Sequence, residues 1–305
     1  PEQVGASPEQ VGASPEQVGG SPQQVGASAD YPGLVSSLPV HPERRWADED
    51  TSRVANRGEW DRYADEYQAT HGEFLGDAGF IWSPEGVDES DVQLLGDVAG
   101  KRVLEIGCGA AQCARWVQER GGFCVGLDLS HRQLQHSRRI DLDRVEAVPL
   151  VEATASQLPF AANTFDVVFS AFGALQFLAD ADLVCREAAR VLKPGGRFAF
   201  SVTHPTRWMF PDDPTEAGLT ASQDYWDRTP YVEVDDATGE PAYVEHHRTL
   251  GDWVRALDRA GFRLRDLVEP KWPEDLDRTW GGWSRARGLI TPGTAIYVAN
   301  LEGSR

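Results

Sequence analysis

The stretch Val103-Leu104-Glu105-Ile106-Gly107-Cys108-Gly109-Ala110-Ala111 constrains this chain more than any other segment. Its apolar, partly β-branched start predicts a buried strand over 102–106. An acid nearly closes that strand, two glycines follow, and a helical pattern begins at about 111. Glycines in such a turn let the backbone approach a ligand closely. Nineteen residues after the second glycine comes Asp128, which ends a second apolar strand predicted over 123–128. Strand, glycine turn, helix, strand and acid, in that order, is the layout of a nucleoside-binding α/β sheet.

The turn itself separates two classes of ligand. A dinucleotide fingerprint wants a third glycine three residues after the second, beneath the pyrophosphate. That position is Gln112 here. Glu105, just before the first glycine, would repel phosphates but hold a cation. S-adenosylmethionine carries an ammonium and a sulfonium and no phosphate. At these residues the chain resembles the class I S-adenosylmethionine-dependent methyltransferases. Their first motif, acid-x-Gly-x-Gly-x-Gly, reads Glu105-Ile-Gly107-Cys-Gly109-Ala-Ala111, and an alanine in the last place calls for φ below zero at 111.

The resemblance continues in order across roughly residues 100–203. Leu158-Pro159-Phe160 with Thr164–Ser170 resembles the family's third and fourth motifs, and Arg190–Phe198 the helix, turn and fifth strand that follow. It implies S-adenosylmethionine as cofactor, cradled by Glu105, Gly107 and Gly109. It implies Asp128 on the ribose hydroxyls, Leu129 against adenine, and Ser170 at the end of the fourth strand. Thr154-Ala155 stands where the family often has Asp-Ala, so Thr154 would accept the adenine amine and Ala155 would offer backbone. Trp60, Ala64 and Tyr67 match a leading helix that caps the family's cleft, with Tyr63 and Tyr67 lining the cofactor. Ser130 with Gln133 reads as a helix cap rather than a ligand pair. Pro194-Gly195-Gly196 reads as a turn.

Composition narrows the partners. The chain has 305 residues, 41 % of them apolar, and its longest apolar runs are strand-sized, far short of a membrane span. No basic start or apolar signal core opens it, so a cytoplasmic location is expected. Cys108, Cys113, Cys124 and Cys185 have no metal-like spacing and read as core residues in a reducing compartment. Net charge is −19 with only three lysines, and the arginines are scattered among acids. This opposes a grip on a nucleic-acid backbone. Family members that methylate base amines carry Asn/Asp-Pro-Pro-aromatic after the fourth strand, where this chain has Ser170-Ala171-Phe172-Gly173. A small-molecule acceptor is therefore expected.

Residues 1–28 repeat a proline- and glycine-bearing heptapeptide four times. Such repeats cannot form a coiled coil and read as a disordered tail, continued by a linker over 29–45. Three- and four-residue apolar steps predict a helix over 46–69, within a helical cap of 46–100 that also holds a short helix near 92–95. The cofactor-binding core, 101–203, alternates strands (102–106, 123–128, 147–152, 164–170, 197–203) with helices (111–121, 130–140, 180–192). Residues 204–249 are a lid insertion in which 231–234 and 242–245 form a hairpin. Residues 250–305 finish the sheet, with a helix over 249–260 and strands at 262–268 and 294–300. By resemblance, the final strand inserts antiparallel. The expected fold is Rossmann-like, doubly wound α/β: a mostly parallel seven-stranded sheet with an N-terminal helical cap and an insertion after strand five.

Ligands of open parallel sheets bind beyond the strands' carboxyl ends. The leading helix and the 206–249 insertion are expected to cover that cleft. His204 lies one residue past strand five and is the candidate general base. His246 and His247 are weaker candidates, since consecutive strand residues face opposite ways. Trp208, Phe210, Tyr225, Trp226 and Tyr231 suggest an apolar or aromatic acceptor. No metal site is expected. Besides methyl transfer, the sequence leaves open a nucleotide-cofactor (NAD) oxidoreductase and a non-catalytic S-adenosylmethionine-binding protein.

Overall fold

A computed structural model describes residues 38–303, except residue 281. The heptapeptide tail and the first part of the expected linker lie outside the described residues. The elements run β1 (Val40–Arg44), α1 (Glu49–Leu75), α2 (Glu89–Val92), β2 (Arg102–Ile106), α3 (Gln112–Glu119), β3 (Phe123–Asp128), α4 (His131–Asp141), β4 (Leu150–Glu152) and β5 (Phe165–Ala171). There follow α5 (Ala181–Val191), β6 (Leu192–Thr203), β7 (Tyr231–Asp235), β8 (Pro241–Glu245), α6 (Leu250–Arg259), β9 (Phe262–Val268), α7 (Arg285–Gly288) and β10 (Thr294–Leu301).

Seven strands form the main sheet in the order β4-β3-β2-β5-β6-β10-β9. β2 pairs parallel with both β3 and β5, and β10 lies antiparallel between β6 and β9, as expected. The chain winds from β2 to one edge through β3 and β4, then crosses back to β5. The carboxyl end of β2 is thus the switch point, where an open sheet leaves a crevice.

Side chains alternate across the sheet, so each strand serves two cores. Leu104, Val168, Phe198 and Phe200 pack with Val184 and Ala188 of α5 and with Trp253 and Leu257 of α6. Val103, Val167, Phe169 and Ala199 face the other way, onto Trp116 and Val117 of α3 and onto Phe80 and Trp82. Glu105 shares the face of Val103, at the sheet's functional end, and is 3 % exposed.

Local chemistry sets the ends of the elements. Ser130 Oγ accepts from Gln133 N–H (3.1 Å) to start α4. Thr249 and Asp252 form a capping box on α6, and Gly261, at φ 86°, follows its end. α1 runs past the expected 69 until Gly76, at φ 66°, returns its N–H to Gly72 O.

Four expectations are corrected. Residues 40–44, read as linker, pair antiparallel with β7, giving a small sheet β1-β7-β8. β4 begins at 150 rather than 147, because Pro149 has no N–H and Val148 N donates to Asp141 instead. The short helix lies at 89–92 rather than 92–95, since the Glu89 carboxylate takes the amides of Leu94 and Leu95. Ala111 has φ 61°, left-handed despite its methyl, because it must close the turn with its N–H on Cys108 O (2.7 Å).

Candidate functional site

A cleft of about 1240 Å³, open mouth included, lies over the ends of β2, β3 and β5. Its floor is the glycine turn. A Cβ at Gly107 would meet the Gly173 carbonyl carbon at 2.6 Å, and one at Gly173 would meet Gly107 O at 2.1 Å. The two backbones can touch only because neither residue has a side chain. Gly107 and Gly109 also need their positive φ values, 69° and 52°.

Two carboxyl groups flank this turn. Asp128 accepts from Gly109 N–H (2.7 Å) and Ser130 N–H (2.8 Å), bracing the turn against the start of α4. Burial pushes its carboxyl up to about 6. Glu105 Oε2 is buried without a hydrogen-bond partner among the described residues. Burial pushes the Glu105 carboxyl up to about 8. Unsatisfied buried oxygens are uncommon, and this one sits in the cleft wall.

α1 forms the roof. Arg53, Trp60, Tyr67 and Phe74 all line the cleft, and they are spaced seven residues apart, two helical turns, so they make one stripe. Asp61 anchors the roof to α4, accepting from Ser130 Oγ–H (2.7 Å) and Arg132 N–H (3.0 Å). Asp65 pairs with Arg132 and His136 on the same helix. A second cover comes from the β9–β10 connection. Trp280 lines the cleft and packs on His71 (4.2 Å), Phe74 (6.0 Å) and Tyr67 (6.3 Å) of α1.

Of the residues expected at the site, Tyr67, Glu105, Gly107, Gly109, Asp128, Leu129, Thr154 and Ala155 all line this cleft. Three do not. Tyr63 sits at the edge of the α1 stripe, buried against the rings of Trp60 and Tyr67. Ser170 is fully buried inside β5, which runs on so that Ala171 and Phe172 reach the cleft instead. His204 is 3 % exposed and lies outside the lining. It caps the turn after β6, with Nδ1 against Thr206 Oγ1 (2.8 Å) and Nε2 against Glu269 Oε1 (2.8 Å), so both ring nitrogens are engaged away from the cleft.

The 206–249 insertion contributes no lining residue among those described. Its aromatics pack on one another and on the small sheet: Trp208 on Tyr231 (5.6 Å), Tyr225 on His247 (5.8 Å). His246 meets Ser52 Oγ through Nε2 (2.9 Å), and burial pushes it down to about 3, while His247 Nε2 donates to Tyr225 O. Sequence reasoning missed Trp280, Phe172 and Gly173. The seven-residue spacing of Trp60, Tyr67 and Phe74 was a readable signal; for Trp280 only the tryptophan-rich β9–β10 connection hinted at a role.

A family model for a methyltransferase domain matches residues 104–200. The chain is 36 % identical over 185 residues to a demethylmenaquinone methyltransferase of Mycolicibacterium paratuberculosis, covering 57 % of this chain and 74 % of that one. It is 32 % identical over 196 residues to 27-O-demethylrifamycin SV methyltransferase of Amycolatopsis mediterranei, covering 62 % and 61 %. Among solved structures, an S-adenosylmethionine-dependent methyltransferase from Mesorhizobium loti superposes with a TM-score of 0.56 at 28 % identity, covering 69 % of this chain and 95 % of that one. With several other curated relatives the match spans less than half their length, 43 % of one and 49 % of another. The chain belongs to the class I S-adenosylmethionine-dependent methyltransferases, on a Rossmann-like sheet. S-adenosylmethionine is the cofactor of that family.

Proposed function

We propose that this chain methylates a small-molecule acceptor, using S-adenosylmethionine. The observation that carries this reading is the orphaned Glu105 Oε2 beside a glycine turn that a Cβ would fill. A buried carboxylate without a cation is costly, and a ligand ammonium would satisfy it. A pyrophosphate would meet repulsion from the same oxygen. The chemistry of the lining fits the rest of the cofactor. Asp128 keeps free lone pairs for ribose hydroxyls beyond its two backbone bonds. Leu129 and Ala155 offer apolar surface to an adenine, with the Thr154 hydroxyl nearby, and Tyr67 closes the roof.

When bound, the cofactor supplies a methyl group already activated on a sulfonium. What remains for the protein is alignment and exclusion of water, and alignment can contribute about 7–11 kcal/mol. The aromatic roof and Trp280 serve that purpose. Among the described residues no histidine or lysine lines the cleft, and Glu105 and Asp128 are taken up by the cofactor. The acceptor therefore has to present a lone pair or an acidic O–H of its own. The aromatic walls of Trp60, Phe172, Phe177 and Trp280 suit an apolar, planar acceptor. Two relatives named for demethylmenaquinone and a demethylrifamycin support a small-molecule acceptor.

No helix of the described residues is long and apolar enough to cross a membrane. The four cysteines are free and buried, which supports the reading of a reducing, cytoplasmic compartment. Incubation with labelled S-adenosylmethionine and a panel of hydroxylated aromatic and amine acceptors tests the activity. Label in product with stoichiometric S-adenosylhomocysteine is expected. Saturable binding of NAD, with none of S-adenosylhomocysteine, would overturn the reading.

A further inference from the structure

We infer that the side-chain amides of Gln68 and Gln133 form a clasp along one side of the cleft, which holds the roof on the glycine floor and sets how long the cofactor stays bound. This rests on the methyl-transfer reading above for the identity of that cofactor. Asp61, Asp65 and Gln68 are spaced four and three residues apart, so they share one face of α1. That face meets α4 and its cap: Asp61 at Ser130 Oγ (2.7 Å), Asp65 at the Arg132 guanidinium (2.7 Å) and Gln68 at the Gln133 amide (3.1 Å). Neither aspartate lines the cleft, whereas Gln68 and Gln133 both do. Of these joints, the amide pair is the one that faces the ligand space.

The pair completes a continuous wall from roof to floor. Gln68 Nε2–H donates to Gln133 Oε1. The same Oε1 lies 3.8 Å from the position a Cβ would take on Gly109, which is van der Waals contact. Gly109 is itself fixed, since its N–H donates to Asp128 (2.7 Å). The base of the Gln133 side chain is fixed as well, because its backbone N–H donates to Ser130 Oγ (3.1 Å). The Gln133 amide has no other hydrogen-bond partner among the described residues. Gln68 is thus the tether that joins this part of the floor to α1.

Gln133 is 3 % exposed, so the bond is shielded from water and its loss leaves a buried amide oxygen unpaired. The bond is also neutral. The Asp65 carboxylate pairs with both Arg132 and His136, and parting that joint separates charge; parting the amides does not. Position gives the clasp its leverage. It lies next to Tyr67, which lines the cleft from the roof, and one turn before His71, whose ring packs on Trp280 (4.2 Å). The aspartates anchor the preceding turns of α1, and the amide pair holds the turn from which Tyr67 reaches the cleft.

The test combines calorimetric titration with S-adenosylhomocysteine and stopped-flow measurement of its dissociation, on wild type, Gln68→Met, Gln133→Met and the double variant. Methionine keeps the length and approximate volume of glutamine and removes the bond. Each single variant is expected to bind about fivefold weaker or more, with the change carried by faster dissociation. The double variant is expected to match the singles, because all three have lost the same bond. Unchanged dissociation in either single variant, or a loss in the double variant equal to the product of the single losses, overturns the inference and leaves the methyltransferase reading standing. Failure of wild type to bind S-adenosylhomocysteine overturns both.

Discussion

Gly107 and Gly173 meet where two strands end, and their contact is closer than any side chain allows. Gly173→Ala is expected to push the β5 turn off the glycine floor, weakening S-adenosylhomocysteine binding by about tenfold or more, read by titration calorimetry. Glu105 sets a pH dependence of its own. Its folded value, about 8, lies above its ordinary 4.5, so the protonated form favours the fold. That stabilisation is complete below about 4.5 and is lost as pH rises through 8. Asp128, raised from 3.8 to about 6, adds the same sign at lower pH. Denaturant melts of the ligand-free protein should show stability falling from pH 6 to pH 8, and Glu105→Gln should reduce that slope, the remainder coming from Glu233, whose carboxyl burial also pushes up to about 8. A ligand ammonium favours the ionised carboxylate, so cofactor affinity should rise over the same range. At this scale the sequence was most legible where backbone freedom or charge decided the choice: Glu105, Gly107, Gly109 and Asp128. It was misleading at Ala111, where closing the turn outweighs the methyl's preference for negative φ.

The elements were legible wherever periodicity governs them, as in β2, β3, β9 and the β7–β8 hairpin, which fall on or within a residue of their expected spans. β1 was not, because a proline within five residues hides the pattern and its pairing with β7 is far off in sequence. α1 buries several polar residues, Ser52, Asn56 and Glu59, and so lacks a simple apolar stripe. Its Asn56 side chain bonds both the N–H and the O of Val244, finishing the edge of β8. The attachment of α1 to α4 through Asp61 is the joint that holds the roof. Asp61→Ala leaves the buried Ser130 hydroxyl and the Arg132 amide without that acceptor. It should cost about 1–3 kcal/mol of stability by chemical denaturation and weaken cofactor binding, although Asp61 does not line the cleft.

Over the whole molecule, two connections after β6 divide the work in a way the sequence could not reveal. The 206–249 insertion has the denser aromatic set, yet its rings pack on one another and on the small sheet. The β9–β10 connection, which carried no recognised motif, sends Trp280 to the mouth of the cleft. Such choices depend on which side of the sheet a loop returns to, and composition does not encode that. His204 lies where these connections meet, tied to Glu269 at the start of one and, through Thr206, to Thr291 near its end. His204→Ala should therefore lower stability by about 1–3 kcal/mol while any methyl transfer keeps a pH profile without a histidine's signature, measured by thermal melts and initial rates.

The most direct measurement compares wild type and Glu105→Gln at pH 8, titrating each with S-adenosylhomocysteine and with adenosine. Adenosine, which lacks the ammonium, should bind both proteins alike. S-adenosylhomocysteine should bind Glu105→Gln weaker by about 30-fold or more, as expected when one partner of a buried charge pair is neutralised. Equal affinity of S-adenosylhomocysteine for the two proteins would contradict the assignment of Glu105, and with it the reading of the cleft.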